Sequence, residues 1–472
     1  MTPATDLQIS FADLEFRGQG LALDPLLQAL ADFLDEHRDL VETVRRDLVN
    51  SLKKPETGRR SLTAEQVLRS LILMRVKNWD YRELRERITD GYTLRRFTQF
   101  QSRRVPKHDA FNRAFNRLTP ATLQALNAAV VQAAVARGLE DGKQLRVDTT
   151  VVETDIHHPT DNTLLWDVVR VVTRLVRRLH AVVPDGVTGF ANRTRAARRR
   201  MQEIQRMTAR ERHTQQVPTY RALIRVADDV VHDARAVLEQ TTGARGTGLV
   251  DDSLIQALRA AVAHYCHLGD RVIDQARRRV LQGEQVPNAE KIYSIFEPHT
   301  DLIKRGKVLK PVEFGHKVFL AESARGLITQ YHGLPGNPAD QMHVLSSVTQ
   351  HKDTFGRVPE LYSSDRGFFS PENVTGCQEA GVSLVCIPQR GGHRTPEQQA
   401  REKTPAFKRG QRFRAGIEGR ISVLFRGRGM KRCRAEGRER FELLVGAAAL
   451  ANNLLIIGNL LTKRRKRQRR AA

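Results

Sequence analysis

The sequence is poor in cysteine, poor in histidine-cysteine clusters, and short of acids relative to its bases. Cys266, Cys377, Cys386 and Cys433 are scattered with no CxxC pair, which argues against a zinc ribbon and a disulfide framework and fits a reducing cytosol. There is no Walker loop and no GxSxG elbow to carry nucleotide or acyl chemistry. The first ten residues, MTPATDLQIS, lack a basic segment followed by an apolar one, so no secretory signal is expected. Only Phe441 to Leu461 approaches the length of a membrane span. It carries Glu442, Asn452, Asn453 and Asn459, and reads as a buried core helix with no membrane partner.

What the sequence has in excess is positive charge. Lys and Arg number 78 against 53 Asp and Glu, for a formal net charge of +25 over 472 residues. Such a chain repels itself unless a polyanion neutralises it, which makes nucleic acid the natural partner and a cytoplasmic, nucleoid-associated location the expectation. The length allows two to four domains with a sizeable core.

Four zones follow along the chain. From about Leu23 to Gly138 the punctuation is helical: Asp24 and Pro25 start one helix, Thr63 and Gln66 form a capping box for another, Asp109 is expected to cap FNRAFNRL, and Pro120 opens a last one. A helix-turn-helix that reads DNA is one reading of this Arg-rich module, and plain packing of short helices is the other. The second zone, KQLRVDTTVVETDI from Lys143 to Ile156, is a β-branched run that suits a central strand. The third, from Thr163 to about Gln285, is again apolar at helical spacing and reads as an inserted helical subdomain; its Arg-dense stretch from Arg193 to Arg212 is either a solvated face or a phosphate track. The fourth restores strands at Glu313 to Ser323 and Gly326 to Pro335, a helix over Ala339 to Lys352, a strand ending before Asp365, a helix opened by Ser370 and Pro371, a strand within Gly381 to Gln389, and a helix around Ile417.

Three strands, helix, strand, helix, strand, helix is the order of an RNase H-like mixed-sheet α/β core with its first strand cut off by the helical insert. The expected division is 1–140 for a helical DNA-binding domain, 141–162 and 291–462 for the core, 163–290 for the insert and 463–472 for a basic tail.

Asp148 interrupts a strand-forming segment, where an unpaired buried carboxylate costs several kcal/mol or stays protonated. Pairing with Arg146 is the bland account; a metal ligand is the functional one. Asp365 follows a short apolar strand and precedes Gly367, whose missing side chain would let a phosphate or a metal approach backbone. Glu418 lies one turn before Ile421 on the last core helix. Converging carboxylates repel unless cations hold them, and hard oxygen ligands suit two Mg²⁺ or Mn²⁺ ions, which can activate a hydroxyl and stabilise a leaving oxygen in phosphoryl displacement.

The strings RVDTTVVETDI, SIFEPHTDLIKRGK, VEFGHKVFLAES, LYSSDRGFFSPENV and RAGIEGRISVLFRGRGMKR resemble those of DDE transposases from bacterial insertion sequences, in particular the ISNCY grouping. The resemblance implies Asp148, Asp365 and Glu418 as the acid triad, two divalent ions, double-stranded DNA of the element's terminal repeats and of the target as partner, and a homodimer in the DNA complex. Many such transposases carry Tyr, Arg, Glu and Lys around the glutamate with two, three and six residues between them. Arg414 and Glu418 match the middle pair, whereas Gln411 and Phe425 stand at the Tyr and Lys places and Arg426 is the nearby candidate cation. Arg414, Arg426, Lys317, Arg366 and Lys431 are the candidate DNA or phosphate contacts. His316 reads as a structural group, and Trp79 and Trp166 read as core packing ahead of stacking on an unpaired base. A structure-selective nuclease and a non-catalytic transposase-derived binder are the competing functions.

Overall fold

Helix starts are set by local chemistry. In the computed structural model, which describes residues 2–3, 11–18, 22–50, 60–184, 187–246, 248–304, 311–389, 391 and 394–471, the Asp24 carboxylate accepts the Leu26 and Leu27 amides and opens the helix Pro25–Glu36. Thr63 and Gln66 exchange side-chain and backbone hydrogen bonds ahead of Ala64–Lys77, and Thr119 caps Pro120–Ala136. Asp109 does not cap. The helix His108–Phe115 starts one residue earlier, with Asp109 in its first turn, paired to His108.

By contacts the chain divides into two compact units, Met1–Glu153 with His316–Ala472, and Thr154–Gly315. The second unit is mainly helical. Asp161–Val182, Thr194–Arg206, Ala209–Gln240 and Leu249–Ala276 bury Val168, Val172, Leu223, Val230, Val262 and Val272 against one another. Trp166 packs at the edge of that cluster. A short strand, Asp301–Lys304, pairs antiparallel with Val312 to Gly315, a strand the sequence does not announce.

The first unit holds the sheet. Its main strands are β1 (Gln144–Thr154), β2 (Val312–Ser323, which enters this unit at His316), β3 (Ile328–Leu334), β4 (Leu361–Ser363) and β5 (Leu384–Cys386), with the short Arg432–Cys433 pairing with β1. β3 pairs with β2, β2 lies beside β1, β1 beside β4, and β4 beside β5. The β2–β3 pair is antiparallel, while β1–β4 and β4–β5 are parallel. Alternation along β2 supplies two cores: Phe319 and Ala321 face Leu145, Val147, Tyr362, Val344 and Val374, and Val318 and Leu320 face Val152, Leu424, Phe441 and Leu444. The helices Val344–Phe355 and Pro371–Glu379 therefore cover one face, and Pro405–Gly427 and Arg438–Ala471 the other. The first of these opens with a 3-10 turn at Asp340–His343, so the regular helix begins five residues later than Ala339. This is an RNase H-like α/β core with a helical amino-terminal part.

The last helix is apolar and long enough to cross a membrane, yet 72% of its apolar window is buried in the protein. Its Ala447, Leu450, Leu454 and Ile457 join the amino-terminal helices in one cluster with Leu30, Phe33, Leu71 and Leu126, and Trp79 packs against it. Asn453, fully buried, accepts the Ile328 amide at 2.7 Å and donates to the Ile328 carbonyl and to Asn127 Oδ1. Its polar groups are thereby satisfied inside the core.

Candidate active site

The parallel register of β1 with β4 aligns Gln144 with Leu361 and Arg146 with Ser363. Carried two residues further, it brings Asp148 level with Asp365, so the two aspartates leave adjacent strands at the same height. Asp365 sits just past β4, where its carboxylate accepts the Gly367 amide at 2.8 Å and caps the short turn Arg366–Phe368. The space that Gly367 leaves open is taken by carboxylates: a Cβ there would lie 3.0 Å from Asp365 Oδ1 and 3.2 Å from Asp340 Oδ2.

Glu418 arrives from the helix Pro405–Gly427, whose seat depends on close approach. A Cβ at Gly410 would collide with Cys386 Sγ, and one at Gly416 with the Arg146 guanidinium. Gln411 donates to the Cys386 and Ser364 carbonyls at 2.6 and 3.2 Å, tying the helix to the ends of β4 and β5. Arg146 does not pair with Asp148. It donates to the Phe413 carbonyl at 2.6 Å and to Glu322 at 2.8 Å, and Glu322, fully buried on β2, also accepts from Arg420 at 2.8 Å. Two guanidiniums on one buried carboxylate thus bind the helix to β1 and β2.

One turn before Glu418, Arg414 reaches all three acids. Its Nη2 lies 3.0 Å from Asp148 Oδ2 and 3.7 Å from Asp365 Oδ2, and its Nη1 lies 2.9 Å from Glu418 Oε1. Asp148 is buried, Asp365 is half-buried, and the Glu418 side chain is 67% exposed. The Asp148 carboxyl accepts the Thr149 amide at 2.8 Å as well as Arg414. Burial nevertheless pushes its pKa up to about 6; Arg414 opposes the rise, and the nearby charges of Asp365 and Asp340 add to it. An acid site held together by one cation has hard oxygen donors and surplus negative charge, which suits a small dication. Among the described residues no three His, Cys, Asp or Glu side chains stand ready around a single ion position; here the guanidinium occupies the centre.

The other candidate residues lie further out. Lys317, on β2, donates to Asp340 at 3.2 Å and to the Pro338 carbonyl at 2.8 Å. Arg366 is exposed next to Asp365, and Lys431 is exposed, with its carbonyl taking the Glu153 amide. Arg426 is exposed two turns beyond Glu418 and donates to Ser422 Oγ. Phe425 packs against the Leu424 and Phe441 cluster, so no cation stands at that place. His316 is buried edge-on to Phe441. Asp340 is the acid that sequence reasoning missed: an aspartate in the first turn before a helix looks like ordinary capping.

Two family models match the chain. One is a transposase domain (DUF772), over residues 22–117, and the other is a transposase DDE domain, over residues 304–454. The second stretch holds Asp365, Arg414 and Glu418; Asp148 falls in the unmatched span between the two, and its place beside them comes from the strand register and from its contact with Arg414. No curated protein and no solved structure matches the chain. Neither family model singles out the ISNCY grouping, but with one covering the amino-terminal helices and the other the carboxyl-terminal core, the chain belongs to the DDE transposases of insertion sequences.

Proposed function

We propose that the protein cleaves DNA at the ends of an insertion sequence and joins them to target DNA, with Asp148, Asp365 and Glu418 as its acid triad. The observation that carries the assignment is the gathering of all three carboxylates on the one Arg414 guanidinium. Transposases of this family generally use divalent metal ions, and two Mg²⁺ or Mn²⁺ ions at this site would activate the attacking oxygen and stabilise the leaving one. Asp148 and Asp365 are the rigid pair, fixed by strand register and by the Thr149 and Gly367 amides. Glu418 is the exposed member, on a helix; it would help to hold an ion, while Arg414 would be free to bind a DNA phosphate, a role that suits a planar guanidinium.

Exposed Arg366, Arg426 and Lys431 have the chemistry of backbone contacts, and they would position the scissile phosphate without reading sequence. Double-stranded DNA is the partner, and a homodimer would pair the two element ends. Incubation of the full-length protein with Mg²⁺ and DNA carrying the element's own ends tests the reading. It should yield new 3′-hydroxyls and joined products. Cleavage without joining would indicate a structure-selective nuclease, and binding with neither product would indicate a non-catalytic binder.

A further inference from the structure

Asp340 lies close to both aspartates of the proposed site, and side chains from three other segments hold it and its turn in place. Its Oδ1 accepts the Thr149 hydroxyl at 3.0 Å, from the residue next to Asp148, and the Lys317 ammonium at 3.2 Å, from β2. Lys317 also holds the Pro338 carbonyl at 2.8 Å, which straps down the chain on the other side of the acid. Beyond it, the buried Asn373 amide donates to the Gln341 carbonyl at 2.8 Å and to the Phe368 carbonyl at 3.0 Å. That single side chain joins the turn after Asp340 to the turn after Asp365.

The consequence lies in the direction of the second oxygen. With Oδ1 engaged, Oδ2 faces the gap over Gly367, across from Asp365 Oδ1. A carboxylate brought this close to two others is unfavourable unless something rewards it, and Lys317 compensates only from the Oδ1 side. A strap whose sole task was to pin β2 to β1 would do as well with an amide, which carries no charge into the cluster.

We propose that Asp340 is a fourth carboxylate of the ion-binding centre, contributing Oδ2 as a ligand to a divalent ion shared with Asp148 or Asp365, while Thr149 and Lys317 hold Oδ1. The inference rests on the reading of Asp148 and Asp365 as ion ligands, and its test separates the two. Asp340→Asn keeps an acceptor for Thr149 and Lys317 and removes only the charge. Asp340→Cys offers a thiolate, a poor ligand for Mg²⁺ and a better one for softer Mn²⁺.

The deciding measurement is Mn²⁺ binding to the full-length protein, followed by the loss of the free-ion electron paramagnetic resonance signal, with circular dichroism confirming that each variant is folded. Asp340→Asn should weaken Mn²⁺ binding at least roughly tenfold, and Asp340→Cys should cleave end DNA far better with Mn²⁺ than with Mg²⁺, by a larger ratio than the parent protein. A folded Asp340→Asn that binds Mn²⁺ as the parent does, while Asp148→Asn and Asp365→Asn bind it weakly, overturns the fourth ligand and leaves the triad standing. Parent-like binding in all three variants overturns the triad along with it.

Discussion

Arg414 Nη2 lies 3.0 Å from Asp148 Oδ2, the contact by which a helix residue neutralises the most buried acid of the site. Without an ion, this guanidinium is the main counter-charge for three carboxylates. Arg414→Ala should therefore destabilise the metal-free protein by about 3 kcal/mol, the usual cost of stranding a buried charge. Added Mn²⁺ should return part of that loss. Thermal unfolding with and without the ion checks it: a variant whose midpoint gains no more from Mn²⁺ than the parent's would show that Arg414 and the ion do not share a place.

If the three acids hold the ions, removal of any one should stop chemistry and spare binding. Asp148→Ala, Asp365→Ala and Glu418→Ala should each lower end cleavage by at least about a hundredfold, since ion stabilisation of charge is worth several kcal/mol. Retention of the labelled end duplex in a gel shift should change little. Full cleavage by any one variant removes that residue from the site.

The raised Asp148 carboxyl gives a pH dependence with a definite sign. Its folded pKa of about 6 exceeds the ordinary 3.8, so between those values the metal-free fold holds a proton that the unfolded chain has released. That contribution to stability is complete below about pH 4 and is lost as pH rises through 6. Above pH 6, Asp148→Asn should thus make the metal-free protein more resistant to urea than it does at pH 4. Ion binding requires the carboxylate, so the half-saturating Mn²⁺ concentration should rise roughly tenfold per pH unit below 6. A flat Mn²⁺ affinity between pH 5 and 7 would remove Asp148 from the ligand set.

Much of this site was legible in the sequence because its parts obey local rules. A β-branched strand broken by Asp148, a short strand before Asp365 and a helix bearing Arg414 and Glu418 each announce themselves over a few residues. The interval of 217 between the aspartates looks arbitrary until the parallel register of Arg146 with Ser363 turns it into adjacency. Arg146 is the natural partner for Asp148 by proximity, since residues two apart on a strand share a face, but the guanidinium extends instead to Glu322 and the Phe413 carbonyl, partners distant in sequence. Asp340 gave no signal, because its meaning depends on Lys317, Thr149 and Asn373, all distant in sequence. Gln411 and Phe425 depart from the family pattern for reasons only packing reveals: one anchors the helix to strand ends, the other fills the core.

The seat of that helix is open to a sharper test. Gly416→Ala would place a methyl group against the Arg146 guanidinium and displace that guanidinium from the Phe413 carbonyl. Stability should fall by about 1–3 kcal/mol, as for overpacking elsewhere. Cleavage should fall by about tenfold to a hundredfold, because small misplacements of reacting groups are costly. Single-turnover cleavage at saturating DNA, on protein shown to be folded by circular dichroism, separates the two effects. An unchanged rate would mean that Glu418 and Arg414 do not depend on this contact.

Recognition of the element ends is expected from the amino-terminal helices, but deleting them is not the way to ask. Leu450, Leu454 and Ile457 of the last helix share a core with Leu30, Leu71 and Leu126, so a protein lacking residues 1–138 would expose that face. Surface substitutions avoid the problem. Arg82, Arg85, Arg104 and Arg113 are exposed among these helices, and the short helix His108–Phe115 also exposes Asn112. Phosphate contacts release counterions, and each one lost should reduce the slope of log affinity against log salt by about 0.9. Arg82→Ala with Arg85→Ala should flatten the slope and weaken end and random duplex alike. Asn112→Ala with Arg113→Ala, on a helix of the size that enters a major groove, should instead reduce the preference for ends. Competition between end sequence and random duplex at fixed salt distinguishes the two, and an undiminished preference in the second variant would place recognition outside this helix.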